Sequence, residues 1–241
     1  MTEVQEIQQR YMRRSERGAD GAYDPILSWV FMTRQERERA MINWIRQCGL
    51  APVRAKRVLE VGCGHGSNLI EFIRLGFQPV NLTGNELLES RAKLARERLP
   101  AATSVVVGDA CQIPFEHGSF DVVLQSTVFS SILDGDFQAK LAERMWQWAK
   151  PGGGILWYDF IYNNPRNPDV RGVPIRTIRT LFPEGDITVW RLTLAPPISR
   201  FVTRLHPSMY TLFNAFVFLR THVLCWIRKP SPPTPLPKAG R

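Results

Sequence analysis

Cysteine is sparse and scattered. Cys48, Cys63, Cys111 and Cys225 form no CxxC pair, so neither a structural zinc site nor a disulfide framework is indicated. Reduced, mostly buried thiols in a reducing compartment are the simplest account. Histidine is equally scarce, with four copies, and no cluster of metal-ligating residues occurs at ligand spacing, so no metal is expected. The opening MTEVQEIQQRYMRRSER is far too charged for a signal peptide. One apolar stretch, Met209 to Ile227, is interrupted by Asn214, Arg220 and His222. It fits a helix followed by a strand better than a membrane span. A cytoplasmic location is expected, with the inner membrane surface as a peripheral alternative. There is no internal repeat.

What is present suits one large domain: 241 residues with 44% hydrophobic content. Basic residues outnumber acidic ones 31 to 22, giving +9. That balance favours nucleic acid, phosphorylated carriers or anionic lipid surfaces, or reflects only a solvated basic surface. No appended RNA-binding domain is visible, so nucleic acid is the weaker expectation.

Residues 1–50 read as a helical cover. Segment 3–16 is polar with a thin stripe at Val4, Ile7 and Tyr11. A stronger helix is predicted from Thr33, where Thr33 and Glu36 form a capping-box pattern. From Arg57 onward strands alternate with helices. Strands are predicted at Arg57–Val61, Val80–Thr83, Ser104–Val107, Phe120–Gln125 and Ile155–Phe160, with helices at Ser67–Leu75, Leu87–Leu99 and Phe137–Trp148. This βαβ alternation argues for an α/β fold, a parallel sheet with helices on both faces. A helix at about 174–181, a strand at Ile187–Leu194, one helix over Ile198–Phe216 and a strand at His222–Arg228 complete a domain spanning 51–229. The proline-rich tail, 230–241, is expected to be disordered.

The chemistry centres on VLEVGCGHGSNL, where Gly62, Gly64 and Gly66 join a strand to a helix. Glycine permits positive φ and lets a ligand touch the backbone, and the helix N-terminus supplies free amides. A plain tight turn is the bland alternative. A dinucleotide site is the sharper one, but its GxGxxG spacing is not met, because Ser67 replaces the third glycine. Glu86 lies at the end of the second strand, where a carboxylate can hold two ribose hydroxyls or merely complement a helix dipole. Asp109, in Gly108-Asp109-Ala110, can accept from an adenine amino group beside the Ala110 amide, or act only as a loop cap.

In order and spacing, VLEVGCGHG, NELL, GDA, PFEHGSFDVVLQS and the PGGG turn resemble the class I S-adenosylmethionine-dependent methyltransferases, of the type 11-like kind. The match runs from Val58 to about Phe160. The resemblance implies a Rossmann-like, seven-stranded sheet with an antiparallel last strand, and S-adenosyl-L-methionine as cofactor. It implies contacts from Glu60, Gly62, Cys63, Gly64 and Gly66 to the amino-acid end. Glu86 and Leu87 would meet the ribose, Asp109 and Ala110 the adenine, and Gln125 and Ser126 the methionine part. Asn85-Glu86 departs from the apolar-Asp pair of many relatives.

Methyl transfer needs alignment more than acid–base machinery, although a hydroxyl acceptor benefits from a base. Asp159, closing the fifth strand, is the candidate catalytic base, with a structural cap as its alternative. Tyr158, Asn163, Asn164, Arg166 and Arg171 are candidate acceptor contacts, the arginines for a phosphate or carboxylate. WYDFIYNNPRNPDVRG, TLAPPISR and LRTHVLCWIRKP resemble a bacterial subgroup associated with polysaccharide and other glycan clusters. That implies O-methylation of a sugar hydroxyl, on a small or lipid-linked acceptor. A natural-product O-, N- or C-methyltransferase, an RNA-binding methyltransferase and an inactive cofactor-binding scaffold remain as alternatives. Oligomeric state is open.

Overall fold

The computed structural model describes residues 2–16, 24–164 and 167–231. The tail expected to be disordered lies, apart from its first two residues, outside them. The strands are β1 (Val58–Val61), β2 (Leu82–Glu86), β3 (Ser104–Val107), β4 (Phe120–Ser126), β5 (Ala149–Phe160), β6 (Asp186–Leu194) and β7 (Arg220–Arg228). The helices are α1 (Glu3–Glu16), α2 (Ser28–Gln47), α3 (Ser67–Arg74), α4 (Glu89–Arg98), α5 (Gly135–Trp148), α6 (Ile175–Leu181), α7 (Pro196–Leu205) and α8 (Ser208–Asn214).

The strands form one seven-stranded sheet in the order β3-β2-β1-β4-β5-β7-β6. Strands β1 to β5 pair in parallel where they are neighbours, and β7 runs antiparallel to both β5 and β6. The expected mostly parallel α/β architecture with an antiparallel last strand is therefore the observed one.

Successive side chains of a strand face opposite ways, and both faces here are covered. Leu59, Val61 and Val123 pack toward Leu141 and Met145 of α5 and Ile178 of α6. Val58, Val122 and Leu156 pack toward Trp44 of α2 and Leu69 and Phe72 of α3. This is why β1 reads as an almost unbroken apolar run. Asp134 caps α5 by accepting from the Phe137 amide at 2.8 Å.

Several boundaries differ from the sequence reading, and β5 starts at Ala149, so the Pro151–Gly153 turn expected before it lies within the strand. Helix α2 begins at Ser28, so Thr33 and Glu36 sit inside it, and the Thr33 hydroxyl donates to the Trp29 carbonyl. Val80 belongs to a short 3-10 turn, and β2 starts at Leu82. The single helix expected over 198–216 is two, because Pro207 has no amide to continue α7.

Candidate cofactor crevice and active site

The chain builds β1, β2 and β3 outward in one direction, then places β4 on the other side of β1. In such a sheet the ends of β1 and β4 part at their carboxyl edge and leave a crevice. A cavity of about 120 Å³ lies there. Its wall includes Gly62 after β1, Glu86 at the end of β2 and Leu87 after it, Asp109 and Ala110 after β3, and Ser126 at the end of β4. Six of the eleven residues expected to meet a cofactor thus surround one space, contributed by four strand ends.

The glycine loop explains how the wall closes. Gly62 has φ +68°, and a Cβ there would stand 2.6 Å from Cγ2 of Val128. Gly66 has φ +78° and opens α3 in the left-handed conformation. The main-chain amides are used differently from the expectation. The Gly64 amide donates to Glu86 Oε2 at 2.7 Å, and the Gly66 amide to the Cys63 carbonyl. Cys63 donates in turn to the Asn85 carbonyl. The loop is therefore braced from within. The first helical bond of α3 runs from Ile70 to Gly66, so the Ser67, Asn68 and Leu69 amides form its open N-terminal end.

Glu86 is 4% exposed and also accepts from the Leu88 amide at 3.1 Å. One carboxylate thus ties the glycine loop to the start of α4 while still bordering the crevice. Asp109 accepts from the Cys111 amide through Oδ1 at 2.9 Å, a short turn that sets its carboxyl at the wall. Thr127 also lines the cavity and holds φ +57°, a strained conformation for a β-branched residue.

Helix α1 roofs the crevice with Val4, Ile7 and Tyr11. The Glu3 carboxylate accepts from the Leu133 amide at 2.9 Å and from Arg10 at 2.5 Å. Arg10 also donates to the Ser131 carbonyl, and Arg13 pairs with Asp169 at 2.9 Å. The Arg91 guanidinium of α4 stands 4.8 Å over the Tyr11 ring. The apolar stripe was legible in the sequence. Arg10, Arg91, Thr127 and the direction of the roof were not, since their partners lie far away along the chain.

The remaining expected cofactor residues stand behind the wall. Glu60 points to the other face of the sheet, where it accepts from Asn68 at 2.5 Å. Its Oε2 is buried without a partner, and burial pushes its carboxyl up to about 8. Arg37 of α2 donates to Asn68 and Glu71 beside it. Cys63, Gly64 and Gly66 shape the loop rather than the cavity surface. Gln125 accepts from the Val128 amide at 3.0 Å and so turns the chain after β4.

Asp159 is not at the crevice wall. It is fully buried, and its oxygens accept from the Ser130 and Phe160 amides at 3.1 and 2.9 Å. Burial raises its carboxyl to about 7. The geometry is that of a cap holding the β4 and β5 ends together. Among the expected acceptor contacts, Tyr158 is buried, with its hydroxyl 2.8 Å from Thr193 and its ring stacked on His222. Burial holds His222 down at about 4. Asn163 and Arg171 line a second cavity, of about 370 Å³, between the loop after β5 and the start of α6. Both also lock that loop, Asn163 by accepting from the Gly172 amide and Arg171 by donating to the Leu133 carbonyl. Asn164 engages its surroundings, and Arg166 lies outside the described residues.

Glu36 was missed as a structural centre. It is buried and accepts from the Thr193 amide, the Tyr210 hydroxyl and Asn214 at 3.0, 2.6 and 2.7 Å. Its local capping-box signal concealed partners more than 150 residues away.

Residues 58–153 match a family model described as a methyltransferase domain. Phthiotriol/phenolphthiotriol dimycocerosates methyltransferase 1 of Mycobacterium ulcerans is 34% identical over 161 residues, covering 64% of this chain and 58% of that protein. The chain therefore spans little more than half the length of that curated relative. A fatty-acid O-methyltransferase of Mycolicibacterium smegmatis is 39% identical over 110 residues, covering 45% and 39%. An S-adenosylmethionine-dependent methyltransferase structure from Mesorhizobium loti superposes with a TM-score of 0.55 at 16% identity, covering 78% of this chain and 97% of that one. The two curated relatives are named for phthiotriol dimycocerosates and a fatty acid, not for the glycans that the distal motifs implied. The matched segment contains the glycine loop, Glu86 and Asp109 that wall the crevice. Residues 58–153 are thus similar to a methyltransferase domain, and the chain shares the fold of the solved Mesorhizobium loti S-adenosylmethionine-dependent methyltransferase.

Proposed function

We propose that this protein is an S-adenosylmethionine-dependent methyltransferase that methylates a hydroxyl or carboxylate oxygen of a lipid or other apolar acceptor. The observation that carries the reading is the meeting of Gly62, Glu86, Asp109 and Ser126 around one cavity at the carboxyl edge of the sheet. Glu86 would take the ribose hydroxyls, Asp109 and the Ala110 amide the adenine edge, and Ser126 the methionine portion. The open end of α3 suits a carboxylate.

When bound, the cofactor supplies an electrophilic methyl group on a sulfonium. The chain's residues provide orientation and dryness. Val4, Ile7 and Tyr11 exclude water from above, and the strained Thr127 fixes the wall beside β4. Positioning of this kind contributes up to roughly 7–11 kcal/mol in favourable systems. With α1 docked, the cavity of about 120 Å³ is smaller than the roughly 300–1,000 Å³ of most ligand sites. We therefore assign α1 to a cover that shifts as the cofactor enters, while α2, packed into the core on the other face of the sheet, belongs with 51–229 to the catalytic domain.

A lipid acceptor replaces the sugar hydroxyl as the first choice because the two curated relatives are named for phthiotriol dimycocerosates and a fatty acid. Incubation with methyl-labelled S-adenosylmethionine and a panel of hydroxylated lipids, free fatty acids and lipid-linked sugars tests it. Label in a lipid or fatty acid is the expected outcome. Label only in a sugar restores the glycan reading, and no label in any acceptor, with cofactor bound, supports a non-catalytic scaffold.

A further inference from the structure

We infer that the segment joining β6 to β7 is a docking surface for an anionic phospholipid bilayer, set on the same edge of the sheet as the crevice. The surface stands on its own geometry, and its link to acceptor delivery rests on the lipid reading above.

Placement comes first. Strand β7 is antiparallel to both β5 and β6, so β6 runs parallel to β5. Phe160 of β5 and Leu192 of β6 both pair with His222. The chain from Ala195 to Leu219 therefore emerges at the carboxyl edge, where β1 to β4 end around the crevice. Arg220 ties it down by donating to the Asn214 and Arg191 carbonyls.

This segment turns apolar groups outward. Leu194, Val202 and Tyr210 form its buried side. On the other side, Phe201 and Leu205 of α7, one helical turn apart, are 66% and 72% exposed. Leu212 of α8 and Phe216, Val217 and Phe218 in the following turn are exposed as well, Phe218 at 74%. Isolated exposed apolar residues are ordinary, but six on two packed helices and their turn mark an interaction site.

Charge selects the occupant. After Asp186 the sequence has eight of the 31 basic residues and none of the 22 acidic ones, leaving 23 against 22 before it. Of those eight, Arg200 and Arg204 lie between Ala195 and Leu219, a stretch with no acidic residue. Arg200 and Arg204 flank the apolar side chains of α7, both exposed, and neither has a carboxylate partner among the described residues. Exposed aromatic and aliphatic groups flanked by arginine suit a helix lying in the headgroup layer. No helix among the described residues is long and apolar enough to cross a membrane, which fits surface attachment.

The test is co-sedimentation of the full chain with vesicles of phosphatidylcholine alone or mixed with phosphatidylglycerol. Calorimetry with S-adenosylmethionine runs in parallel on each variant. Binding to the mixed vesicles, weak binding to the neutral ones and loss at high salt are expected. Arg200→Gln/Arg204→Gln is expected to weaken binding by about 25-fold, roughly fivefold for each arginine. Phe201→Ser/Leu205→Ser/Phe218→Ser is expected to reduce it at least about tenfold. Equal binding by wild type and both variants, or no binding by wild type, overturns the inference. A dimer that the Phe201→Ser/Leu205→Ser change dissociates assigns the face to a second copy and also overturns it. Failed vesicle binding with intact cofactor binding removes only this surface. Failed cofactor binding with intact vesicle binding removes only the methyltransferase reading.

Discussion

Replacing Glu86 by glutamine separates what this carboxylate does for the loop from what it does for a ligand. Both oxygens accept backbone amides, from Gly64 at 2.7 Å and from Leu88 at 3.1 Å. A glutamine keeps the shape but turns an NH₂ toward one of those donors. One buried amide then loses its partner, which costs about 1–3 kcal/mol, and the surviving bond loses its charge assistance, about 1 kcal/mol more. For a chain of this size, each kcal/mol lowers Tm by about 2–4 °C, so a fall of roughly 5–15 °C is expected by thermal denaturation. Glu86→Gln also weakens the pair of bonds proposed for the ribose hydroxyls, by about 1.4–2.8 kcal/mol, or roughly 10–100-fold in Kd. Calorimetry on the variant, well below its lowered Tm, reads that loss separately. A wild-type Tm would refute the bracing role. A lowered Tm with unchanged affinity would refute the ribose contact alone.

Three further outcomes follow from the contacts around the site. Burial raises the Glu60 carboxyl to about 8 in the folded chain, against 4.5 for the free group, so its contribution to stability is full below about pH 4.5 and is lost as pH rises through 8. Glu60→Gln removes that dependence, and from pH 5 to 8 the variant should gain on wild type by up to about 1.4 kcal/mol per pH unit in urea unfolding; parallel stability curves would contradict the burial argument. Glu36→Ala leaves the Thr193 amide, Tyr210 and Asn214 without their shared acceptor, and a loss of at least about 3 kcal/mol is expected, with early hydrogen exchange in α8. Arg10→Ala releases the roof from the Ser131 carbonyl and leaves the buried Glu3 carboxylate without its cation, so cofactor dissociation followed by stopped flow should quicken roughly tenfold; an unchanged rate would show that α1 does not gate the crevice.

Legibility in the sequence followed the range of the interactions. The βαβ order, the glycine loop, and Glu86 and Asp109 at successive strand ends were readable because turns, strand ends and apolar periodicity are local signals. The same locality misled at Thr33 and Glu36. A capping-box spacing was present, but helix α2 starts earlier, and Glu36 answers partners in β6 and α8. Asp159 illustrates a second limit. A carboxylate at a strand end can face a crevice or cap the neighbouring turn, and only the position of the Ser130 amide decides. The glycine amides show a third. Glycine allowed their tight loop, yet whether those donors meet a ligand or Glu86 depends on β2 lying alongside β1. The outward apolar face of α7 carried a helical pattern, but which side the sheet would cover required the topology.

The most direct test is a crystal structure of the chain with S-adenosylhomocysteine. The account requires the ribose hydroxyls on Glu86, the adenine edge against Asp109 and Ala110, and α1 moved from its contacts with Leu133 and Ser131. A nucleoside bound elsewhere, or a crevice still sealed by Val4, Ile7 and Tyr11 at saturating ligand, would contradict it.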